Sequence, residues 1–317
     1  MGREGYMKKK ENILPAVMMI GVIACMCAVS EILKDREIIF PEIAALALGY
    51  LCAPKRSWQV NSIRMFFCIS LCAVLGLCIS IWMPGTLYLK LVTAYIIAQI
   101  IFLFSGTTLA PLISAVVLPV LIRSKSISYV LSASLMCAVV ILLHAFLVRK
   151  GIRQAEPYHP VEKPDGMRLT KMAIRTMVMA LVAAAAVVSD WLFLIAPPIL
   201  VAFTELSENW TPASSLKPWK VILLLSGCAA GGGLCRYFLT VRLGLPLTFS
   251  AVPASVIMCV LVYRTEMFMP PAGAMTLLAM LVPQQAVLLY PIEACLGISI
   301  YMLSTIGMYR LYHPHTI

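Results

Sequence analysis

The sequence predicts an all-α, polytopic transmembrane helical bundle with an internal duplication and short proline-initiated helices. Three observations carry that expectation. The 317 residues are 61% hydrophobic and 12% charged, with a mean hydropathy of +0.93, whereas soluble domains run at about half apolar and about a quarter charged. Apolar runs extend from end to end, and no polar block is large enough to fold separately. One polar stretch, "RKGIRQAEPYHPVEKPDGMRLTKMAIR", divides the chain near its middle. Such a chain belongs in a bilayer, where backbone groups must be satisfied within helices or a closed barrel.

The first apolar run covers 13–33. "VIAC", ending at Cys25, resembles a lipoprotein cleavage box, but the run continues to Leu33 and is long enough to span. Gly2 lacks the Ser or Thr of a myristoylation signal. Further runs fall at 38–53, 63–83, 87–104, 107–122 and 127–148, then at 173–189, 191–204, 221–241, 246–263, 267–283 and 285–310. The expected organisation is a first repeat over 1–150, a cytoplasmic basic linker over 151–172 and a second repeat over 173–317, each repeat with six segments.

The halves share order and spacing. "IIFPEIAALALGYLCAP" faces "IAPPILVAFTELSENWTP", with 13 residues from Pro41 to Pro54 and 14 from Pro198 to Pro212. "SLCAVLGLC" (70–78) faces "SGCAAGGGLC" (226–235), and "TLAPLISAVVLP" faces "MPPAGAMTLLAMLVP", which sets Pro111 opposite Pro271. An internal duplication explains this agreement.

Basic residues lie in short loops, so the formal charge of +11 reads as topology and lipid-headgroup attraction rather than nucleic-acid binding. With Lys8, Lys9 and Lys10 cytoplasmic, six passes per half return Lys55, Arg56 and Arg64 to the cytoplasm. The linker with Arg149, Lys150, Arg153, Lys163, Arg168, Lys171 and Arg175 is then cytoplasmic too. Arg123, Lys125 and Arg242 run against the rule. An even number of passes makes the repeats parallel, with both termini cytoplasmic in the plasma membrane. Most of the eleven cysteines lie in apolar runs without a CxxC pair, as buried free thiols do.

Proline is tolerated in a helix's first turn and disruptive inside it. Pro41, Pro197 with Pro198, Pro111, and Pro270 with Pro271 therefore mark four helix starts at membrane depth. Their first amides and positive dipole ends suit a small anion if they converge on one interface. The candidate substrate-binding set is Pro41, Glu42, Thr108, Pro111, Pro197, Pro198, Pro270, Pro271, Gly273 and Thr276. Ser105, Thr107, Gln284 and Gln285 could add donors, or hydroxyls could bond back to their own helices. Lys90, His144, Glu205, Arg236 and Glu293 are the other ionisable groups in or bordering apolar runs. Gly76 and Gly231–Gly233 suit close helix approach.

"IFPEIAALALGYLCAPKRSW…SLCAVLGLCISIWMPGTLYLKLVTAYIIAQIIF" resembles the front of the HPP family of integral membrane proteins, with Met83-Pro84-Gly85-Thr86 at the family's "GPGW"-like turn. "MPPAGAMTLLAMLVPQQAVLLYPIEACLG" resembles the family's His-Pro-Pro-Ala motif, matched by Pro270, Pro271, Ala272 and Gly273. Met269 stands at the His position, as does Leu109 in the first half, so a role needing that imidazole is absent. Typical members have one such unit, and this chain would be a tandem of two. Some plant and cyanobacterial relatives are regarded as nitrite transporters, so the resemblance implies small-anion transport.

The expected function is a secondary transporter or channel for a small solute, with a small anion such as nitrite among the candidates. The alternatives are an organic-solute transporter of unrelated duplicated fold and a non-transporting scaffold or regulatory component. Without a His/Asp/Glu cluster, HExxH, GxSxG or nucleotide loop, the sequence suggests neither an enzyme nor a cofactor or metal. The expected partners are the bilayer and a small solute or anion, with homo-oligomerisation a further option and nucleic acid excluded.

Overall fold

The computed structural model describes residues 13–209 and 217–312. Lys8–Lys10 and Pro212 lie outside the described residues. Within them the first half contains α1 (Ile13–Ile32), α2 (Glu42–Ala47, continued by a π turn over Leu48–Cys52), α3 (Ser62–Trp82), α4 (Leu87–Phe104), α5 (Pro111–Leu121) and α6 (Ser128–Arg149). The second contains α7 (Gly166–Ser189), α8 (Pro197–Asn209), α9 (Pro218–Cys235, continued by a π turn over Arg236–Arg242), α10 (Leu247–Thr265), α11 (Pro271–Leu278) and α12 (Tyr290–Tyr312). Both halves thus read long, short, long, long, short, long. No strand occurs among the described residues, and the protein is all-α.

Eight helices are long and apolar enough to cross a membrane, which makes the chain a multi-pass membrane protein. At about 1.5 Å per residue, their 18 to 25 residues match a hydrocarbon core about 30 Å thick. Phe67 and Leu71 on α3, Leu131, Leu135 and Leu142 on α6, and Leu181 and Val188 on α7 are exposed. Such outward apolar residues would be a liability in water and are natural against lipid tails.

Helices α2, α5 and α11 are wholly buried and, apart from Glu42, Ser114 and Thr276, apolar on every side, as expected of elements at the centre of a bundle. Helices α2 and α5 nevertheless run along the direction of the spans. The Ile38 carbonyl, before α2, accepts from Ser132 near the start of α6. Leu51 and Cys52, at its end, accept from Arg153 beyond the end of α6, at 2.6 and 2.9 Å. Likewise α5 starts where Gln59 N donates to Thr108 Oγ1 (2.9 Å) and ends where Ser80 Oγ donates to the Ser124 carbonyl (2.7 Å).

Contacts recur at matched offsets. A Cβ on Gly76 would overlap the Val116 carbonyl, five residues after Pro111; one on Gly232 would overlap the Thr276 carbonyl, five after Pro271. The Tyr129 hydroxyl donates to the Ala115 carbonyl (3.1 Å) and that of Tyr290 to the Met275 carbonyl (2.6 Å), both four residues after the same prolines. Four residues beyond each glycine, Ser80 and Arg236 serve the ends of α5 and α11. Arg236 donates to the Ala279 and Val282 carbonyls. In hydrocarbon these terminal carbonyls need such partners, and a cation suits a helix C-terminus.

One boundary differs from the sequence reading. Helix α7 begins at Gly166, inside the stretch read as linker, because Asp165 caps it by accepting from the Arg168 amide at 2.8 Å. Arg175 is consequently a buried residue of α7 and not a cytoplasmic linker charge. The remaining linker folds back on the first half: Tyr158 donates to the Gly106 carbonyl at 2.8 Å and Glu156 pairs with Arg56 at 3.6 Å. The face carrying it is the linker face below.

Replacing Gly232 by Ala is expected to cost about 2 kcal/mol, because a backbone carbonyl cannot yield as a flexible side chain can. At Gly21 a Cβ meets open space, so Gly21→Ala should cost nothing. Unfolding midpoints of the purified variants in detergent check the contrast.

Candidate functional site

The four short helices form a closed ring in which α2 packs on α11, α11 on α8, α8 on α5 and α5 on α2. Each half therefore contributes two members, and two of the four contacts join the halves. The closest is backbone on backbone: a Cβ at Gly273 would lie 2.6 Å from the Ala44 carbonyl carbon. Gly49 of the α2 π turn is likewise pressed against Trp58 and Pro270.

The proline starts do not gather at one point. Helices α2 and α8 start toward the face opposite the linker, and α5 and α11 start toward the linker face, so neighbours in the ring are antiparallel. Nor are the first-turn amides free. Ile43 and Ala44 donate to the carbonyls of Phe40 and Pro41 at 3.0 and 3.1 Å, Ile113 to Ala110 at 2.9 Å, and Ile199 to Ala196 at 2.8 Å. Ala272 and Gly273 donate to Met269 and Pro270, both at 3.0 Å. Tight i−3 first turns satisfy the donors inside the backbone, and proline itself has none to offer.

The sequence-predicted residues divide accordingly. Pro41, Pro111, Pro197, Pro198, Pro271 and Gly273 are buried in the packing of the ring. Thr276 is buried with its hydroxyl bonded back to the Ala272 carbonyl at 3.0 Å. Glu42, 1% exposed, accepts from the Ser114 hydroxyl of α5, and its second carboxyl oxygen has no partner. Thr108 and Pro270 reach cavities at the linker face. Of the other ionisable groups, Lys90 donates to the Ser80 carbonyl (2.8 Å), Glu293 accepts from the Phe193 amide (2.8 Å), and His144 packs against Tyr50 with ring centres 4.3 Å apart and planes tilted by 44°.

Two cavities open at the linker face. One, of about 380 Å³, lies between Phe102, Thr108, Glu205, Glu208, Arg168 of α7 and the linker residues Val161, Glu162, Lys163 and Asp165. The other, of about 540 Å³, is walled by Ala53–Lys55, Trp58, Phe268, Met269 and Pro270. Glu205 belongs to both. It is half-buried and held by the Trp58 indole, which donates to it at 2.6 Å. The vestibule thus ends on α8 and on the start of α11, both members of the ring.

Beside the first cavity lies a buried polar hub that the sequence reading missed. Arg175, 0% exposed, donates from Nε to Gln99 Oε1 (3.1 Å) and from Nη1 to Ser207 Oγ (3.2 Å) and Glu208 Oε1 (2.7 Å). Gln99 of α4 also donates to Thr204 of α8 at 2.9 Å, tying the halves together. Glu208 lines the cavity and lies 3.4 Å from Arg168. The signal was there: Arg168, Lys171 and Arg175 recur at spacings of three and four, one face of a helix. Read as linker charge, that spacing had no helix to belong to.

Compared with models of known families, with curated proteins and with solved structures, the chain matches none.

A double-mutant cycle on Arg175→Met and Glu208→Leu, read by detergent unfolding, is expected to give a coupling of about 1–3 kcal/mol, as for buried groups sharing one network. Arg175→Met alone should be among the most damaging single changes, since it leaves the buried Gln99 carbonyl without its donor and Glu208 with Arg168 alone. A coupling near zero would contradict the hub as a structural unit.

Proposed function

We propose that the protein is a secondary transporter or channel for a small solute, with a small anion such as nitrite as the first candidate. The observation that carries this reading is Glu42. A carboxyl buried in the ring where two like halves meet, with a hydroxyl on one oxygen, no hydrogen-bond partner on the other and no ion pair among the described residues, is costly in a membrane interior. It earns a functional reading as the group that exchanges a proton as the halves shift.

The equal order of elements and the matched contacts of Gly76 with Gly232 and of Tyr129 with Tyr290 support an internal duplication, and repeat interfaces near mid-membrane are where transporters bind solute. The resemblance of the Pro270–Gly273 segment to the HPP family supports the small-anion choice. Basic residues on the linker face, Lys55, Arg56, Arg64, Arg149, Lys150 and Arg153, support placing that face in the cytoplasm of a cell with this protein in its plasma membrane. No enzymatic step enters the reading.

An organic solute is the second reading, favoured by the cavity of about 540 Å³ with Trp58, Phe268 and Met269 in its walls. That volume falls in the range of small-molecule sites and far exceeds a triatomic anion.

Purified protein in liposomes with an anion-sensitive dye inside tests the proposal. Nitrite entry above protein-free vesicles is expected, accelerated by a pH gradient. Glu42→Gln, which keeps the shape and the Ser114 bond, should abolish the response to the gradient while leaving the fold intact. A wild-type pH profile in that variant would remove Glu42 from the cycle. Flux confined to organic solutes would favour the second reading, and none for either class would leave a scaffold.

A further inference from the structure

Three cations that the transport reading does not use meet at the face opposite the linker. Lys90 of α4 lines a cavity of about 280 Å³ with Arg123 and Lys125 of the loop after α5, between the end of α3 and the start of α4. The wall of this cavity contains no carboxylate. Both cavities at the linker face have Glu205 in theirs, and the cavity beside Lys34 and Arg36 has Glu31. Among the described residues, none of the three cations forms an ion pair. Arg123 and Lys125 also run against the charge bias that gathers basic residues on the other face.

Cations just after a helix often serve its last carbonyls, but α5 does not need them. Its Leu118, Pro119 and Val120 carbonyls accept from the amides of Ile122, Ser124 and Arg123 at 3.0, 2.8 and 3.2 Å. The loop is held separately by Glu37, whose carboxylate accepts from the Ser124 hydroxyl and from the Lys125 and Ser126 amides. Among the described residues, the hydrogen bonds of Arg123 and Lys125 thus come from their backbone, and both side chains are exposed. Lys90 is half-buried and gives one of its three N–H donors to the Ser80 carbonyl at 2.8 Å, which leaves two.

The surroundings are those of a membrane interface. Trp82, ending α3, is 73% exposed, as an indole at headgroup level is. Leu89, 47% exposed, packs on the cavity's Gly85, where a Cβ would lie 3.0 Å from Leu89 Cδ2. The cavity is therefore cationic inside and apolar along its flank.

We propose that Lys90, Arg123 and Lys125 bind the phosphate of an anionic phospholipid in the leaflet opposite the linker. The Arg123 guanidinium offers a fork that matches two phosphate oxygens, and the two ammonium groups add point charges. The volume suits a headgroup, with the acyl chains outside along Trp82 and Leu89. A zwitterionic lipid brings an ammonium of its own, which three cations repel. Free phosphate presents the same oxygens but leaves the apolar flank uncovered. Ser80 joins Lys90 to the Ser124 carbonyl, so the bound lipid braces α3, α4 and the end of α5 together. The assignment goes beyond the transport reading and does not depend on it.

The test uses the purified full chain in a non-ionic detergent. Its unfolding midpoint is followed against dioctanoyl phosphatidylglycerol, dioctanoyl phosphatidylcholine and sodium phosphate, at matched ionic strength. Saturable stabilisation by the phosphatidylglycerol, beyond that of the other two, is expected. Arg123→Gln and Lys125→Gln should each raise the half-saturating concentration about threefold to tenfold. Their lipid-free midpoints should stay at the wild-type value, because neither side chain has a partner to lose. Lys34→Gln combined with Arg36→Gln removes charge from the same face beside a different cavity, and should leave the lipid response unchanged. Stabilisation by phosphatidylcholine or by inorganic phosphate equal to that by phosphatidylglycerol overturns the proposal. So do Arg123 and Lys125 variants with wild-type lipid affinity. An equal loss in the Lys34 and Arg36 variant overturns it as well, since the lipid would then answer to the diffuse charge of the face.

Discussion

Every feature of this fold answers to one constraint: in hydrocarbon a backbone donor or acceptor has no water to fall back on. Eight helices satisfy it by length alone. The four short ones cannot, since 6 to 13 helical residues leave two unfinished ends within the thickness of a membrane. Their solution is to keep away from lipid altogether. They pack on one another and on Gly76 and Gly232, close their first turns with i−3 bonds, and have their last carbonyls taken by Ser80, Arg153 and Arg236. The long helices then form the wall between this ring and the lipid.

Where the halves agree, the contacts concern packing: glycine against a carbonyl, tyrosine onto the turn below. Where they differ, they concern charge. Ser114 stands three residues after Pro111 and holds Glu42, while the residue three after Pro271 is Ala274. Ser80 serves the end of α5 as a neutral hydroxyl, whereas its counterpart Arg236 brings a guanidinium. Packing contacts recur between the halves while charges do not, so the residues that hold the scaffold are a different set from those that set its charge.

Much of this could be read in advance. The all-helical build, six helices in each half and proline at the start of each short helix follow from hydropathy and spacing, which are local properties of the chain. The state of the helix ends was not local. Whether the amides after Pro41 or Pro271 stay free depends on the turn that precedes them, and the sequence does not display a 3₁₀ closure. Arg175 was hidden for another reason. Its neighbours are charged, so composition assigned it to the linker, and only the Asp165 cap, which starts α7 early, moves it into the membrane. Glu205 and Trp58 are 147 positions apart and could not be paired by inspection.

Hydrogen–deuterium exchange on the protein in lipid nanodiscs is the most direct test of the ring. If α2, α5, α8 and α11 are satisfied internally and shielded by the long helices, their amides should exchange as slowly as those in the middle of α3 and α9. Exchange as fast as in the loops, beginning at Ile43, Ile113, Ile199 and Ala272, would mean open ends in contact with water and would contradict the account.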